Sequence, residues 1–162
     1  MLVGLPGVGK STVAHALAQR WQCEALDTDD VLAIAVAMPA AQYLREFGES
    51  HFRERELEAL QSAVENDAII ATGAGIVTSE RAREVVKSEF AVWLDVDDDT
   101  LLERVAVGER PLLGDDHAQA LTRLRRERDE WYRESARVRV DAAGSLDDVL
   151  ERIVDATREV TS

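Results

Sequence analysis

Short apolar runs alternate along the chain with longer segments of helical period. The runs lie at about 1–3, 23–27, 67–72, 90–95 and 137–141, and each reads as a strand. Between them, apolar positions recurring every three or four residues predict helices at about 10–21, 29–36, 40–46, 49–65, 79–87, 97–106, 117–134 and 145–159. Ala68-Ile69-Ile70-Ala71 and Phe90-Ala91-Val92-Trp93-Leu94 are continuous apolar runs, the pattern of parallel strands covered on both faces. Strands separated by helices imply right-handed crossovers. The expected fold is therefore α/β, a three-layer α/β/α sandwich around a five-stranded parallel sheet. Trp21, Phe47, Phe90 and Trp93 are expected in its core. Only Met1, Leu2 and Val3 precede the first glycine, so the first strand is either short or lacks residues ahead of it. In the second case a charged amino group sits near a buried sheet edge, at some cost in stability.

No repeat, proline-rich linker or long charge block divides the 162 residues, which predicts one domain over 1–162. A composition 46% hydrophobic and 31% charged excludes collagen-like, disordered and low-complexity classes. No apolar run is long enough for a membrane span, and the start lacks a signal-peptide pattern. The net charge of −13 makes nucleic acid and anionic membranes poor partners. Lys10 and Lys87 are the only lysines among 19 basic residues. The planar forks of the arginines suit pockets for small anions, although solvated pairing with the many carboxylates is the competing reading for any one of them. Cys23 stands alone and cannot form an internal disulfide, which fits a cytoplasmic location.

Gly4-Leu5-Pro6-Gly7-Val8-Gly9-Lys10-Ser11 matches the phosphate-loop pattern Gly-x-x-x-x-Gly-Lys-Ser/Thr without a mismatch. It lies where that pattern must, between a strand and a helix. Its glycines let backbone N–H groups wrap a phosphate, and the helix beginning near Lys10 adds its positive end. Gly7, Val8, Gly9, Lys10, Ser11 and Thr12 are thus candidate ATP-binding residues, with Lys10 on the β and γ phosphates and Ser11 on Mg²⁺. The loop names the nucleotide and leaves the acceptor open.

Asp27 and Asp29 follow the second strand, and neighbouring parallel strands open onto one crevice. Asp27 suits the Mg²⁺ shell and Asp29 suits an attacking hydroxyl, while helix capping is the other reading of the pair. His15 is placed on the surface of the first helix, and His51 is a candidate support for Arg53. Neither has zinc-ligand spacing with Cys23. Asp95-Val96-Asp97-Asp98-Asp99 reads as capping, with a magnesium role as the alternative.

These residues together resemble the shikimate kinases, small phosphate-loop enzymes related in fold to the nucleoside monophosphate kinases. The resemblance spans essentially the whole chain. It runs from 4–12 through Leu26-Asp27-Thr28-Asp29, Phe47-Gly48-Glu49, Phe52-Arg53, Glu56, Ala71-Thr72-Gly73-Ala74-Gly75 and Arg110-Pro111-Leu112-Leu113 to Arg128 ahead of Trp131-Tyr132. It implies that Asp29 binds the substrate hydroxyls, that Asp27 supports Mg²⁺, and that Arg53 and Arg128 bind the substrate carboxylate. It further implies that Arg110, in a lid at about 107–116, meets the ATP phosphates, and that helices at about 29–65 hold the substrate. A small polyol acid does need a cationic clamp and a hydroxyl acceptor, although surface pairing with nearby Glu and Asp is the competing reading for Arg53 and Arg128. Arg123, Arg125 and Arg126 read as a solvated helix face.

Two features depart from the family. Gly73-Ala74-Gly75 stands where three glycines are usual. A positive φ at Ala74 would cost roughly 1–2 kcal/mol, whereas a negative φ would let the methyl group only trim the pocket. The lid is also lean in basic residues, with Arg104 as the near neighbour of Arg110, and the turn Ala142-Ala143-Gly144-Ser145 offers no arginine to adenine. The expectation is a monomeric cytoplasmic kinase that transfers the γ-phosphoryl group of ATP to the 3-hydroxyl of shikimate. Lys10, Asp29 and Arg110 would be its catalytic residues and Gly73, Ala74 and Gly75 part of its substrate site. A kinase of gluconate or a nucleoside monophosphate, and a nucleotide-binding module without turnover, are the alternatives.

Overall fold

The computed structural model describes residues 1–106 and 116–161. Five strands form the sheet: β1 (Leu2–Val3), β2 (Glu24–Asp27), β3 (Ala68–Ala71), β4 (Val92–Asp95) and β5 (Val138–Asp141). All pair in parallel in the order β2-β3-β1-β4-β5, with helices on both sides, as the apolar runs predicted. Seven α-helices connect or flank them among the described residues: α1 (Lys10–Trp21), α2 (Thr28–Val36), α3 (Ala40–Val64), α4 (Glu80–Ser88), α5 (Asp98–Ala106), α6 (His117–Ser135) and α7 (Leu146–Thr161). A 3-10 turn at Ile76–Thr78, which the periodicity does not predict, follows the glycine segment after β3.

β1 is central and short. Leu2 pairs with both Ala71 and Val92, the Met1 amino group donates to the Phe90 carbonyl at 2.9 Å, and burial pushes the pKa of that amino group down. The two helices expected around 40–65 are one span bent at Gly48, whose φ of 80° and ψ of 170° leave the helical region. Local capping fixes the helix starts. Asp97 accepts from the Thr100 N–H at 2.9 Å, Asp116 from Gln119 at 3.0 Å, and Ser145 and Asp148 bond reciprocally at the head of α7.

The core lies on both faces of β1 and β4. Trp93 is buried there and stacks on Tyr132 at 5.9 Å, and Phe90 packs against the same cluster. Trp21 and Phe47 correct the expectation, with 44% and 48% of their surface exposed. Trp21 is the last residue of α1, and Phe47 stacks on Tyr43 at 4.5 Å just before the Gly48 bend, so neither faces the sheet. No helix among the described residues is long and apolar enough to cross a membrane.

Candidate active site

The segments that follow β1, β2 and β3 converge on one cavity of about 480 Å³. On its phosphate side, α1 begins at Lys10, which is 9% exposed and donates through Nζ to the carbonyls of Gly4 (2.9 Å) and Leu5 (3.0 Å). Ser11 Oγ donates to Asp27 Oδ2 at 2.6 Å. The other carboxylate oxygen of Asp27 accepts the Asp29 N–H at 3.0 Å. Asp27 thus caps α2 with one oxygen and meets the phosphate-loop serine with the other. No group of three or more His, Cys, Asp or Glu among the described residues could hold a metal ion. A hydroxyl beside one carboxylate fits a hard cation whose remaining ligands are water and phosphate oxygens.

The acceptor side is built around Gly73-Ala74-Gly75. Thr28, fully buried, accepts the Gly73 N–H at 2.9 Å and ties the end of β2 to this turn. Asp29 and Glu56 crowd the same glycine. A Cβ on Gly73 would lie 2.9 Å from Asp29 Oδ1 and 2.6 Å from Glu56 Oε1. Asp29 is exposed to the cavity as a residue, yet its carboxyl is enclosed by these neighbours. That enclosure, followed by the charges of Asp27 and Glu56, pushes its pKa up to about 6 against an opposing pull from Lys10. Glu56 is 2% exposed, and burial raises its pKa while Arg53 opposes the rise.

Arg53 projects from α3 beyond the Gly48 bend. Its Nη1 donates to Glu56 Oε2 at 2.7 Å and its Nη2 to Glu49 Oε1 at 3.2 Å. Arg128 on α6 donates through Nη1 to the Ala74 carbonyl at 2.9 Å, and the Tyr132 hydroxyl donates to the same oxygen at 2.6 Å. Both guanidiniums line the cavity, and the Nε of each is buried without an acceptor. The arrangement can hold a polyphosphate at one end, an organic anion at the other, and a proton-accepting carboxylate between them.

A family model described as shikimate kinase matches residues 6–158. A shikimate kinase of Mycobacterium avium is 36% identical over 144 residues, 87% of this chain and 82% of that protein. One from Enterococcus faecalis is 28% identical over 98% of each chain. The solved structure of a shikimate kinase from Acinetobacter baumannii in complex with shikimate superposes with a TM-score of 0.90 at 31% identity, covering 98% of this chain and 91% of that one. The chain belongs to the shikimate kinase family. ATP is accordingly its phosphoryl donor.

In this member of the shikimate kinase family the cavity gathers most of the residues that the sequence singled out. Gly7, Gly9, Lys10, Ser11, Thr12, Asp27, Asp29, Arg53, Gly73, Ala74, Gly75 and Arg128 all line the cavity. Val8 does not. Its side chain is buried in the core, its N–H donates to the Leu5 carbonyl at 3.4 Å, and its carbonyl accepts from Arg104. Arg110 and the rest of 107–115 lie outside the described residues. Arg104 bridges Val8 to the Ala142 carbonyl, so it supports the phosphate loop. His51 is exposed, with its ring on the Phe47 carbonyl, and stands outside the cavity lining.

Ala74 is explained by its backbone. Among the described residues, the non-glycine positions with positive φ are Gln22 and Ala37, so Ala74 carries no left-handed strain. Its neighbours have no such latitude. At Gly75 a Cβ would overlap the Arg53 guanidinium, 2.6 Å from Cζ. Arg125 contradicts the solvated-face expectation, since it bonds Asp95, Asp98 and the Val96 carbonyl. Asp95 is thereby committed to arginine and is not left for magnesium. Thr28, Glu56 and Tyr132 gained no individual role from the sequence. The contacts that define Thr28 and Tyr132 span 45 and 58 residues, whereas the Arg53–Glu56 pair is local and only its burial is invisible in the sequence.

Proposed function

We propose that this chain phosphorylates the 3-hydroxyl of shikimate with ATP, giving 3-phosphoshikimate and ADP. The observation that carries this reading is the single cavity in which a phosphate loop, a carboxylate of raised pKa and two guanidiniums meet. The N–H groups of the glycine loop and the Lys10 ammonium receive the ATP phosphates. Mg²⁺, when bound, neutralises phosphate charge, and Ser11 and Asp27 are the residues that would hold it. Arg53 and Arg128 clamp the acceptor carboxylate beside the 73–75 turn. Asp29 takes the hydroxyl proton as that oxygen bonds to the γ-phosphorus and the bond to the ADP oxygen breaks. Arg110 is assigned to the transferring phosphoryl group on the family resemblance alone.

The test is ADP release from Mg²⁺-ATP with shikimate, gluconate, AMP or no acceptor. Stimulation by shikimate alone is expected, and stimulation by another acceptor or by none refutes the assignment. The main core cluster, which draws on the whole sheet, and the lone Cys23 support one domain working in the cytoplasm, and the acidic net charge supports a monomer. A monomer mass in solution checks the oligomeric state.

A further inference from the structure

Outside the cavity, Arg125 donates three side-chain hydrogen bonds to one corner of the fold. From α6 its Nη1 meets Asp95 Oδ1 at 2.8 Å, its Nε meets Asp98 Oδ1 at 2.5 Å and its Nη2 meets the Val96 carbonyl at 2.6 Å. Asp129, one turn along, approaches at 3.6 Å. Asp95, Val96 and Asp98 belong to the end of β4 and the start of α5, so one guanidinium fastens α6 to that corner.

The same helix carries the acceptor clamp. Arg128 lies three residues on, hence on nearly the same face, and reaches the Ala74 carbonyl together with Tyr132. Leu124, adjacent to Arg125, lines the cavity with Arg128. Besides the packing of Ala120, Leu121 and Tyr132 in the core, α6 is bonded at two places, to the β4–α5 corner through Arg125 and to the turn after β3 through Arg128 and Tyr132. The corner bond lies within one turn of Arg128 on that helix.

We infer that Arg125 is a positioning residue for the acceptor, holding α6 so that the Arg128 guanidinium meets the acceptor carboxylate. This rests on the shikimate reading given above. A purely structural account would hold that buried Asp95, 5% exposed, needs a cation and that any will serve. Arg139 separates the two accounts. It also bonds Asp95, through Nη2 at 2.5 Å and Nε at 3.0 Å, but it stands on strand β5 and stacks over Trp93 at 5.0 Å. Removing it takes a cation from Asp95 without releasing α6.

The experiment compares Arg125→Met, Arg125→Lys and Arg139→Met with the parent chain. The readouts are the melting temperature, the KM for ATP, the KM for shikimate and the calorimetric shikimate affinity. Arg125→Met should weaken shikimate binding and raise its KM by about fivefold to tenfold, within the loss that a displacement of about 1 Å can cause. The KM for ATP should stay within about twofold of the parent value. Arg125→Lys keeps the charge but cannot span three partners, so it should show a smaller change of the same kind. Arg139→Met should lower the melting temperature and leave both KM values alone. Equal shikimate KM values in the Arg125 and Arg139 variants, or parental values in both Arg125 variants, would overturn the inference. A parent chain that releases no ADP with shikimate refutes the underlying reading instead.

Discussion

Gly75→Ala isolates the acceptor clamp from the fold. The backbone at Gly75 has φ −89° and ψ −3°, a negative-φ conformation open to alanine, so the added methyl group acts mainly through space. What it meets is the guanidinium of Arg53, with Cζ 2.6 Å from the new carbon. The nearest atom is Nη1, so ordinary contact requires a retreat of about 1.2 Å, and the far end of a flexible side chain can make it. The retreat draws Arg53 out of line with any carboxylate it shares with Arg128. A hydrogen bond to a charged group is worth about 1.5–3 kcal/mol. At about 1.4 kcal/mol per decade, kcat/KM for shikimate should fall about tenfold to a hundredfold. The KM for ATP should not change, because the phosphate loop lies outside the perturbation. The melting temperature should fall by only a few degrees, about 1 kcal/mol, provided Arg53 keeps its bond to buried Glu56. Steady-state kinetics with each substrate varied in turn, alongside thermal unfolding, measures all three. If kcat/KM for shikimate stays within about twofold of the parent, Arg53 is not on the acceptor and the clamp is wrongly assigned.

The raised pKa of Asp29 predicts that kcat/KM for shikimate falls as pH drops through about 6, as its carboxylate is protonated, and a profile flat to below pH 5 would contradict the base assignment. Because the folded pKa is raised, the fold favours protonated Asp29, and ionising it costs stability as pH rises from about 4 through 6. Asp29→Asn should therefore lose about a hundredfold to ten-thousandfold in kcat, yet melt no lower than the parent near neutral pH; the gain is small because the residue is open to water. Tyr132→Phe leaves the Ala74 carbonyl to Arg128 alone and should cost about 1 kcal/mol, seen as a drop of roughly 2–4 °C in melting temperature with shikimate turnover nearly intact. Ser11→Ala should raise the Mg²⁺ concentration for half-maximal rate about tenfold or more at fixed ATP, and an unchanged titration would remove Ser11 from the metal shell.

The parts legible in the sequence are those whose physics is local. A glycine loop between a strand and a helix, an Asp-Thr-Asp at a strand end and apolar runs of four or five residues each announce themselves within a short window. The aromatic positions failed for the complementary reason. Trp21 and Phe47 have core-type side chains, but their exposure is decided by where α1 ends and where Gly48 bends α3. Arg125 was misread because its partners lie about 30 residues away at the end of another strand, and nothing in the run Arg123-Leu124-Arg125-Arg126 distinguishes it from its solvated neighbours. Gly75 shows the mixed case. Its identity is visible in the sequence, whereas the reason for it is a guanidinium from α3.

The two-residue central strand sets the order in which the protein can come into being. Leu2 has no pairing partner until Ala71 or Val92 exists, so β1 is made well before the strands that fasten it. A ribosome adding about 5–20 residues per second leaves the opening segment waiting for several seconds. Throughout that interval the phosphate loop has a helix behind it but no sheet in front. Nascent chains stalled short of β3 should not be retained on immobilised ATP, whereas released full-length chains should. Nucleotide capture thus reports completed long-range pairing, and for this chain the ability to hold ATP is a late product of folding.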